Sequence, residues 1–84
     1  MVKDVIIETL IIEADREDHI GRHGITIQEV LEIISVDYVY FKSKLERWLL
    51  IGKTKKNRYL TIVIGERDKK YTYGLITARS ARKE

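Results

Sequence analysis

Four cationic side chains crowd the tip of one predicted hairpin. Lys53, Lys55, Lys56 and Arg58 lie within six consecutive positions, and both residue types bind phosphate oxygens. The charge of the whole chain is divided in the same sense. Residues 1–41 hold three cations and nine acids, whereas residues 42–84 hold thirteen cations and four acids. The second half therefore predicts contact with a phosphate-bearing partner, and the alternative is a solvated basic surface with acids nearby in the fold.

Two histidines could exchange protons near neutral pH. His19 and His23 are four positions apart, a spacing that suits two ligands of one metal ion on a helix. The chain has no cysteine, and no third nearby ligand completes a site, so we expect no metal and no other cofactor. The alternative for His23 is a cation at a helix C-terminus, where the helix dipole favours it.

The first half of the chain predicts one strand and two helices. The isoleucine-rich run 5–12 is interpreted as a buried strand, with a helix as the alternative. Asp15 is the expected N-cap of a short helix, which Gly24 ends. Residues 26–29 are a capping box that begins a second helix, closed by residues 35–37. Its apolar stripe consists of Ile27, Val30, Leu31 and Ile34.

Four strands are predicted after the helices, over residues 38–42, 46–53, 58–66 and 71–78. Their short connections indicate hairpins and hence an antiparallel meander. The chain thus predicts a single α+β domain over residues 1–84, made of an N-terminal strand, two helices and a four-stranded antiparallel meander. The longest apolar run contains Glu8 and is too short to span a bilayer, so we expect a cytoplasmic protein with no membrane partner.

Three stretches of the chain carry short motifs in a fixed order. Residues 15–26 contain a helix followed by His23-Gly24-Ile25, and residues 46–54 contain an Arg-x-x-x-x-Gly strand that begins at Arg47. Residues 75–81 end in Ile76-Thr77-Ala78-Arg79-Ser80-Ala81, and Arg58-x-Leu60 fits a strand start between them. The ordered set resembles the BrnT family of small toxins, whose closing signature is Ile-Ser-Ala-Arg-x-Ala, and the resemblance covers residues 13–84. It implies a RelE-like fold, metal-independent cleavage of RNA, and a small antitoxin as partner, often a ribbon-helix-helix protein.

The resemblance also implies catalytic residues. RNA cleavage without a metal needs a base for the 2′-hydroxyl, cations for the charged phosphorane and an acid for the leaving oxygen. His23 lies in a family motif and is the candidate acid or base. Arg47 and Arg79 lie in the other two motifs and are the candidates that hold phosphate.

Counting back from the two longer turns predicts the strand register. Residue 52 then faces 58 and residue 65 faces 71, so Arg47 and Tyr73 both neighbour Val63, while Arg79 faces position 57. Arg47 and Arg79 come out roughly 20 Å apart at about 3.3 Å per residue, too far for one phosphate. We therefore expect Arg47 and Tyr73 to lie together at the corner of the catalytic site. Arg79 is expected to bind flanking phosphates with Lys53 and Arg58. A bulge that shifts the register would change both expectations.

The same register predicts the two faces of the sheet. The face toward the helices holds Trp48, Leu50, Leu60, Ile62, Ile64 and Ile76. The other face holds Arg47, Tyr59, Thr61, Tyr71, Tyr73 and Arg79, together with Leu49, Ile51, Val63 and Leu75. Tyrosines among arginines could stack bases and hold phosphates. The apolar members indicate that the first strand, a second subunit of a homodimer or an antitoxin covers part of this face.

Three classes of function fit these residues. The first is a toxin-like endoribonuclease of a bacterial toxin–antitoxin pair. The second is a non-catalytic RNA- or protein-binding module that retains the toxin fold, and the third is a purely structural subunit of a complex.

Overall fold

The computed structural model describes residues 5–81, so both ends of the predicted domain 1–84 lie outside the described residues. Two helices and five strands form within residues 5–81. In chain order they are β1 (Thr9–Ile11), α1 (Ala14–Gly21), α2 (Ile27–Val36), β2 (Val39–Lys42), β3 (Arg47–Lys53), β4 (Tyr59–Glu66) and β5 (Thr72–Ser80). The predicted α+β class and element order are confirmed. No helix within this range is both long enough and apolar enough to cross a membrane.

The strands form one mixed sheet in the order β1-β5-β4-β3-β2. The antiparallel meander from β2 to β5 is confirmed. The first strand is shorter than predicted and pairs in parallel with β5, where Thr9 neighbours Thr72 and Ile11 neighbours Gly74. It therefore extends the sheet instead of covering a face.

Helix α1 begins one residue before its predicted N-cap. Glu13 is the capping residue, and its carbonyl accepts from the amides of Arg16 and Glu17, so the assignment of Asp15 as N-cap was wrong. Gly24 follows the helix with a φ of 76°, a left-handed conformation that glycine adopts without strain. Helix α1 lies along the part of β5 that β1 leaves unpaired: Arg16 donates to the Ile76 carbonyl at 2.9 Å.

Helix α2 begins at the predicted capping box. The Thr26 hydroxyl accepts from the Glu29 amide at 3.2 Å, and the Glu29 carboxylate accepts from the Thr26 amide at 3.0 Å. The predicted apolar stripe needs one correction, because Leu31 is 43% exposed and Ile33 is fully buried. A Cβ on Gly52 would lie 2.6 Å from the Ile33 side chain, so glycine lets helix and sheet approach closely.

The pairing of β4 with β5 differs from the predicted register and contains a β-bulge. Gly65 faces Gly74 instead of residue 71. Val63 faces Thr77 and Ile64 faces Leu75, which leaves Ile76 as an extra residue. Ile76 lies against Gly65, whose added Cβ would meet its side chain at 3.0 Å. Because the shift of three positions next to the turn is odd, Leu75 and Tyr73 join the core and Ile76 leaves the face it was predicted to share with Trp48. The bulge adds a fourth position to the shift and so keeps Arg79 on its predicted face.

We call the helix-packed side of the sheet the inner face and the opposite side the outer face. The inner face presents Leu50, Leu60, Ile62 and Ile64, all fully buried, to Ile20, Val30 and Ile33 of the helices. Trp48 lies on the inner face as predicted but is only partly buried. The outer face presents Val39, Phe41, Leu49, Ile51, Val63 and Ile76, together with Arg47, Lys53 and Arg79.

Candidate active site

A cleft opens on the inner side of the sheet at the Glu66 end of β4. Its volume is about 440 Å³, and its polar lining comes from β2, β3, β4, β5 and the turn before β5. The described lining residues are Ile6, Lys42, Trp48, Glu66, Arg67, Lys69, Lys70, Tyr71, Thr72 and Tyr73. Four of these residues are cations, one is an acid and three are aromatic. The cations suit a polyanion, and the aromatic side chains suit flat rings of that polyanion that stack on them.

Glu66 is the acid of the cleft. Its Oε2 accepts from Lys42 Nζ at 3.0 Å and from the Trp48 indole Nε1 at 3.0 Å. Lys42 Nζ lies 4.7 Å from the centre of the Trp48 ring, a cation–π contact that holds both donors beside the carboxylate. The antiparallel register explains the cluster, because Lys42 neighbours Trp48 and Glu66 neighbours Tyr73 on adjacent strands.

Tyr73 borders this cluster. The residue is 9% exposed and belongs to the core. Burial raises the pKa of its phenol, and the negative charge of Glu66 raises this pKa further. Tyr73 therefore stays protonated at neutral pH and can donate a proton or a hydrogen bond to a molecule in the cleft.

The turn between β4 and β5 supplies the remaining cations. The Arg67 amide donates to the Thr72 carbonyl at 3.0 Å, and Tyr71 has a φ of 61°. Lys70 Nζ lies 5.2 Å from the Tyr71 ring centre. The Arg67 guanidinium covers Gly74, where a Cβ would collide with it, and pairs with Glu13 at 3.7 Å. The turn thus presents Lys69 and Lys70 to a ligand while Arg67 is engaged with the protein.

The predicted catalytic residues do not converge. Arg47 is exposed and faces Gly65 on the outer face, whereas Tyr73 is on the inner face, so the predicted corner between them was wrong. Arg79 faces Thr61, not position 57, and Arg47 faces Gly65, not Val63. The two arginines are then four residues and two strands apart, roughly 16 Å at 3.3 Å per residue and 4.8 Å per strand, and still cannot share a phosphate.

His23 lies at the opposite end of the molecule from the cleft. Its ring contacts His19 edge to face at 5.1 Å, and the His19 Nε2 atom is 2.9 Å from the Thr77 hydroxyl. The next residue, Gly24, accepts from Arg58 at 2.8 Å, next to the β4 end where Arg79 stands. The shared site of His23 and Arg47 is therefore not formed.

The hairpin tip keeps its predicted cations near Arg79. Lys53 lies over the Tyr59 ring at 5.6 Å, and Lys55 and Lys56 are exposed. Arg58 is engaged with the protein instead: its guanidinium donates to the Gly24 carbonyl and to the Ser80 hydroxyl, both at 2.8 Å, and pairs with Glu29 at 3.4 Å. The tip offers three accessible lysines, and Arg58 braces the helices to the sheet.

The described part of the chain contains no cluster of three or more histidine, aspartate or glutamate side chains that could hold a metal ion. A second cavity of about 490 Å³ lies between the helices, but Glu17 and Asp18 line it and disfavour a phosphate. The cleft is therefore the better site for a polyanion.

Sequence reasoning missed Lys42, Glu66, Lys69 and Lys70. A signal was present, because the turn predicted over residues 67–70 is mostly cationic and adjoins a strand that ends in an acid. Grouping them with Trp48 required the true register of three strands.

Comparison with known proteins supports the fold. No protein-family profile matches the chain, and no curated protein matches its sequence. Among solved structures, the 1.1 Å crystal structure of the Brucella abortus ribonuclease toxin BrnT superposes with a TM-score of 0.69, covering 89% of this chain and 97% of the toxin. The two sequences are 19% identical. The α+β fold implied by the sequence resemblance is therefore confirmed: the chain has the fold of the BrnT ribonuclease toxin.

Proposed function

We propose that the chain is a toxin-like endoribonuclease that cleaves RNA without a metal ion. The observation that carries the proposal is the cluster of Glu66, Lys42 and Tyr73 at one cleft. It combines a carboxylate held by two donors, a cation and a protonated phenol. The shared fold with a ribonuclease toxin supports the same assignment.

The proposed reaction is an attack of a ribose 2′-hydroxyl on the adjacent phosphorus. Glu66 takes the proton of the hydroxyl as the new O–P bond forms. Lys42 stabilises the charged phosphorane. Tyr73 gives its proton to the 5′-oxygen as the P–O bond breaks, since an alkoxide is a much stronger base than a phenolate. The products carry a 2′,3′-cyclic phosphate and a 5′-hydroxyl.

The rest of the cleft and the hairpin tip provide binding. Tyr71 and Trp48 offer rings for base stacking, and Lys69 and Lys70 lie where they can hold flanking phosphates. Lys53, Lys55 and Lys56 extend the basic surface at the far end of the sheet. In this proposal the protein is cytoplasmic, its substrate is RNA, and its partner is a small antitoxin of the ribbon-helix-helix type.

Cleavage of a single-stranded RNA oligonucleotide in excess EDTA tests the proposal. We expect cyclic-phosphate products from the wild type, with Glu66→Gln and Tyr73→Phe at least 100-fold slower. Glu17→Gln and Tyr59→Phe are matched controls outside the cleft. Loss of cleavage in His23→Ala or Arg47→Ala, with Glu66→Gln fully active, would return the site to the residues inferred from sequence.

A non-catalytic RNA-binding module is the second candidate. The separation of His23, Arg47 and Arg79 in the structure favours this candidate, because a protein can keep a fold without keeping the active site found on it. A wild type that shifts RNA in a gel but leaves it intact both in EDTA and in the presence of Mg²⁺ would support this function instead.

A further inference from the structure

The outer face is apolar at its centre and cationic at its rim. Phe41 and Val39 of the edge strand β2 are 55% and 57% exposed. Leu49 and Ile51 lie beside them on β3, with Val63 and Ile76 further across the sheet, all partly buried. Both helices contribute buried residues to the core on the inner face. Within residues 5–81, α1 reaches the outer face at its β5 margin, where His19 contacts the Thr77 hydroxyl, and Val39 and Phe41 at the β2 side stay exposed. Contiguous apolar surface of this kind marks an interaction site.

Cations predominate around this surface, and one acid, Asp37, lines a shallow cavity beside Val39 and Ile51. Arg47 and Lys53 stand at the two ends of β3, and Arg79 stands near the end of β5. None of the three forms an ion pair with another described residue, and the described strands place no acid on the outer face. Face-to-face contact between two copies would bring like charges together, so the rim selects against a symmetric dimer and for an acidic partner.

We infer that the outer face binds an amphipathic helix whose apolar stripe is flanked by acids. A helix satisfies its own backbone hydrogen bonds, whereas an extended segment laid on these side chains would leave its amides unpaired. The distance from β2 to β5 is about 14 Å at 4.8 Å per strand, which a helix of about ten residues crosses. The surface lies on the side of the sheet opposite the cleft, so this inference does not depend on the proposed reaction.

Fluorescence anisotropy with a labelled 18-residue peptide tests the inference. The peptide carries leucine at i, i+3, i+4 and i+7 and glutamate on both sides of that stripe. We expect Phe41→Asp and Val39→Asp each to weaken its binding at least tenfold, about 1.4 kcal/mol. Leu31→Asp is the matched control, because Leu31 is a similarly exposed apolar residue on α2, away from the outer face.

A second comparison tests the expected preference of the outer face for an acidic peptide. The same peptide with lysine in place of glutamate should bind at least tenfold more weakly, and Lys53→Glu should weaken binding of the acidic peptide. Circular dichroism verifies that each variant is folded. Failure of the acidic peptide to bind, equal binding of both peptides, or equal binding by Phe41→Asp and wild type would overturn the inference. Slowed hydrogen exchange confined to the outward amides of β2 would also overturn it, since that pattern indicates strand addition.

Discussion

The indole nitrogen of Trp48 donates to the carboxylate of Glu66 across the β3–β4 pair at 3.0 Å. The same carboxylate oxygen accepts from Lys42, whose ammonium lies over the indole ring. Trp48 therefore connects packing with chemistry, because one side of the ring contacts the core and its polar edge positions the acid of the cleft.

Replacement of Trp48 by phenylalanine separates these two roles. The variant keeps an aromatic ring against the core and loses the N–H donor. We expect a loss of about 1 kcal/mol in the free energy of unfolding, measured by urea denaturation, and a lower kcat for RNA cleavage with KM little changed. An unchanged kcat would mean that Glu66 needs no help from the indole. Trp48→Ala should cost more, on the order of 2–3 kcal/mol, less than a fully buried tryptophan would.

The phenol of Tyr73 gives the folded protein a pH dependence. Burial and the charge of Glu66 raise its pKa above the ordinary value of 10.0. The folded state thus favours the protonated phenol, and this contribution to stability is complete below pH about 10 and is lost as the pH rises through the folded-state pKa. From pH 8 to pH 11 the wild type should lose more unfolding free energy than Tyr73→Phe, with Tyr59→Phe as the control. Equal losses in wild type and Tyr73→Phe would contradict the shift.

A glycine variant at position 52 tests the contact between α2 and the sheet, and a variant at Gly21 serves as its control. A Cβ at Gly52 would lie 2.6 Å from Ile33 and 3.0 Å from the Asp37 carbonyl, so Gly52→Ala should destabilise the fold by about 1–3 kcal/mol. A Cβ at Gly21 meets nothing within 4 Å, so Gly21→Ala at the end of α1 should be neutral or stabilising by up to about 1 kcal/mol. Urea denaturation measures both, and equal effects would mean that the helix can move away from β3.

Short sequence patterns correctly predicted the features that depend on residues close together in the chain. The Thr26–Glu29 capping box lies within four residues, and both of its hydrogen bonds form. The meander could be predicted because each hairpin connection is short. The parallel pairing of β1 with β5 could not, since Thr9 and Thr72 are distant in sequence and no turn joins them. The connection between β4 and β5 is wider than its polar residues indicate, so that Gly65 faces Gly74 instead of residue 71, and this odd shift reverses the face of Tyr73. Counting residues from the predicted turn therefore could not place Tyr73 on the correct face of the sheet.

Arg58 and Lys56 separate structural bracing from RNA binding at the hairpin tip, and they provide the last prediction. Arg58 bonds Gly24, Ser80 and Glu29, whereas Lys56 is exposed at the turn. Arg58→Ala should cost about 1–2 kcal/mol of unfolding free energy, since it removes two hydrogen bonds and a partly exposed ion pair. Lys56→Ala should leave stability unchanged and weaken RNA binding. Removing one cation that binds a phosphate of single-stranded RNA should flatten the slope of log K against log salt by about 0.7, so Lys53, Lys55 and Lys56 replaced together should flatten it by about 2. The slope is obtained from anisotropy titrations of a labelled RNA at several salt concentrations. An unchanged slope in the triple variant would remove the hairpin tip from the RNA-binding surface and leave binding to the cleft.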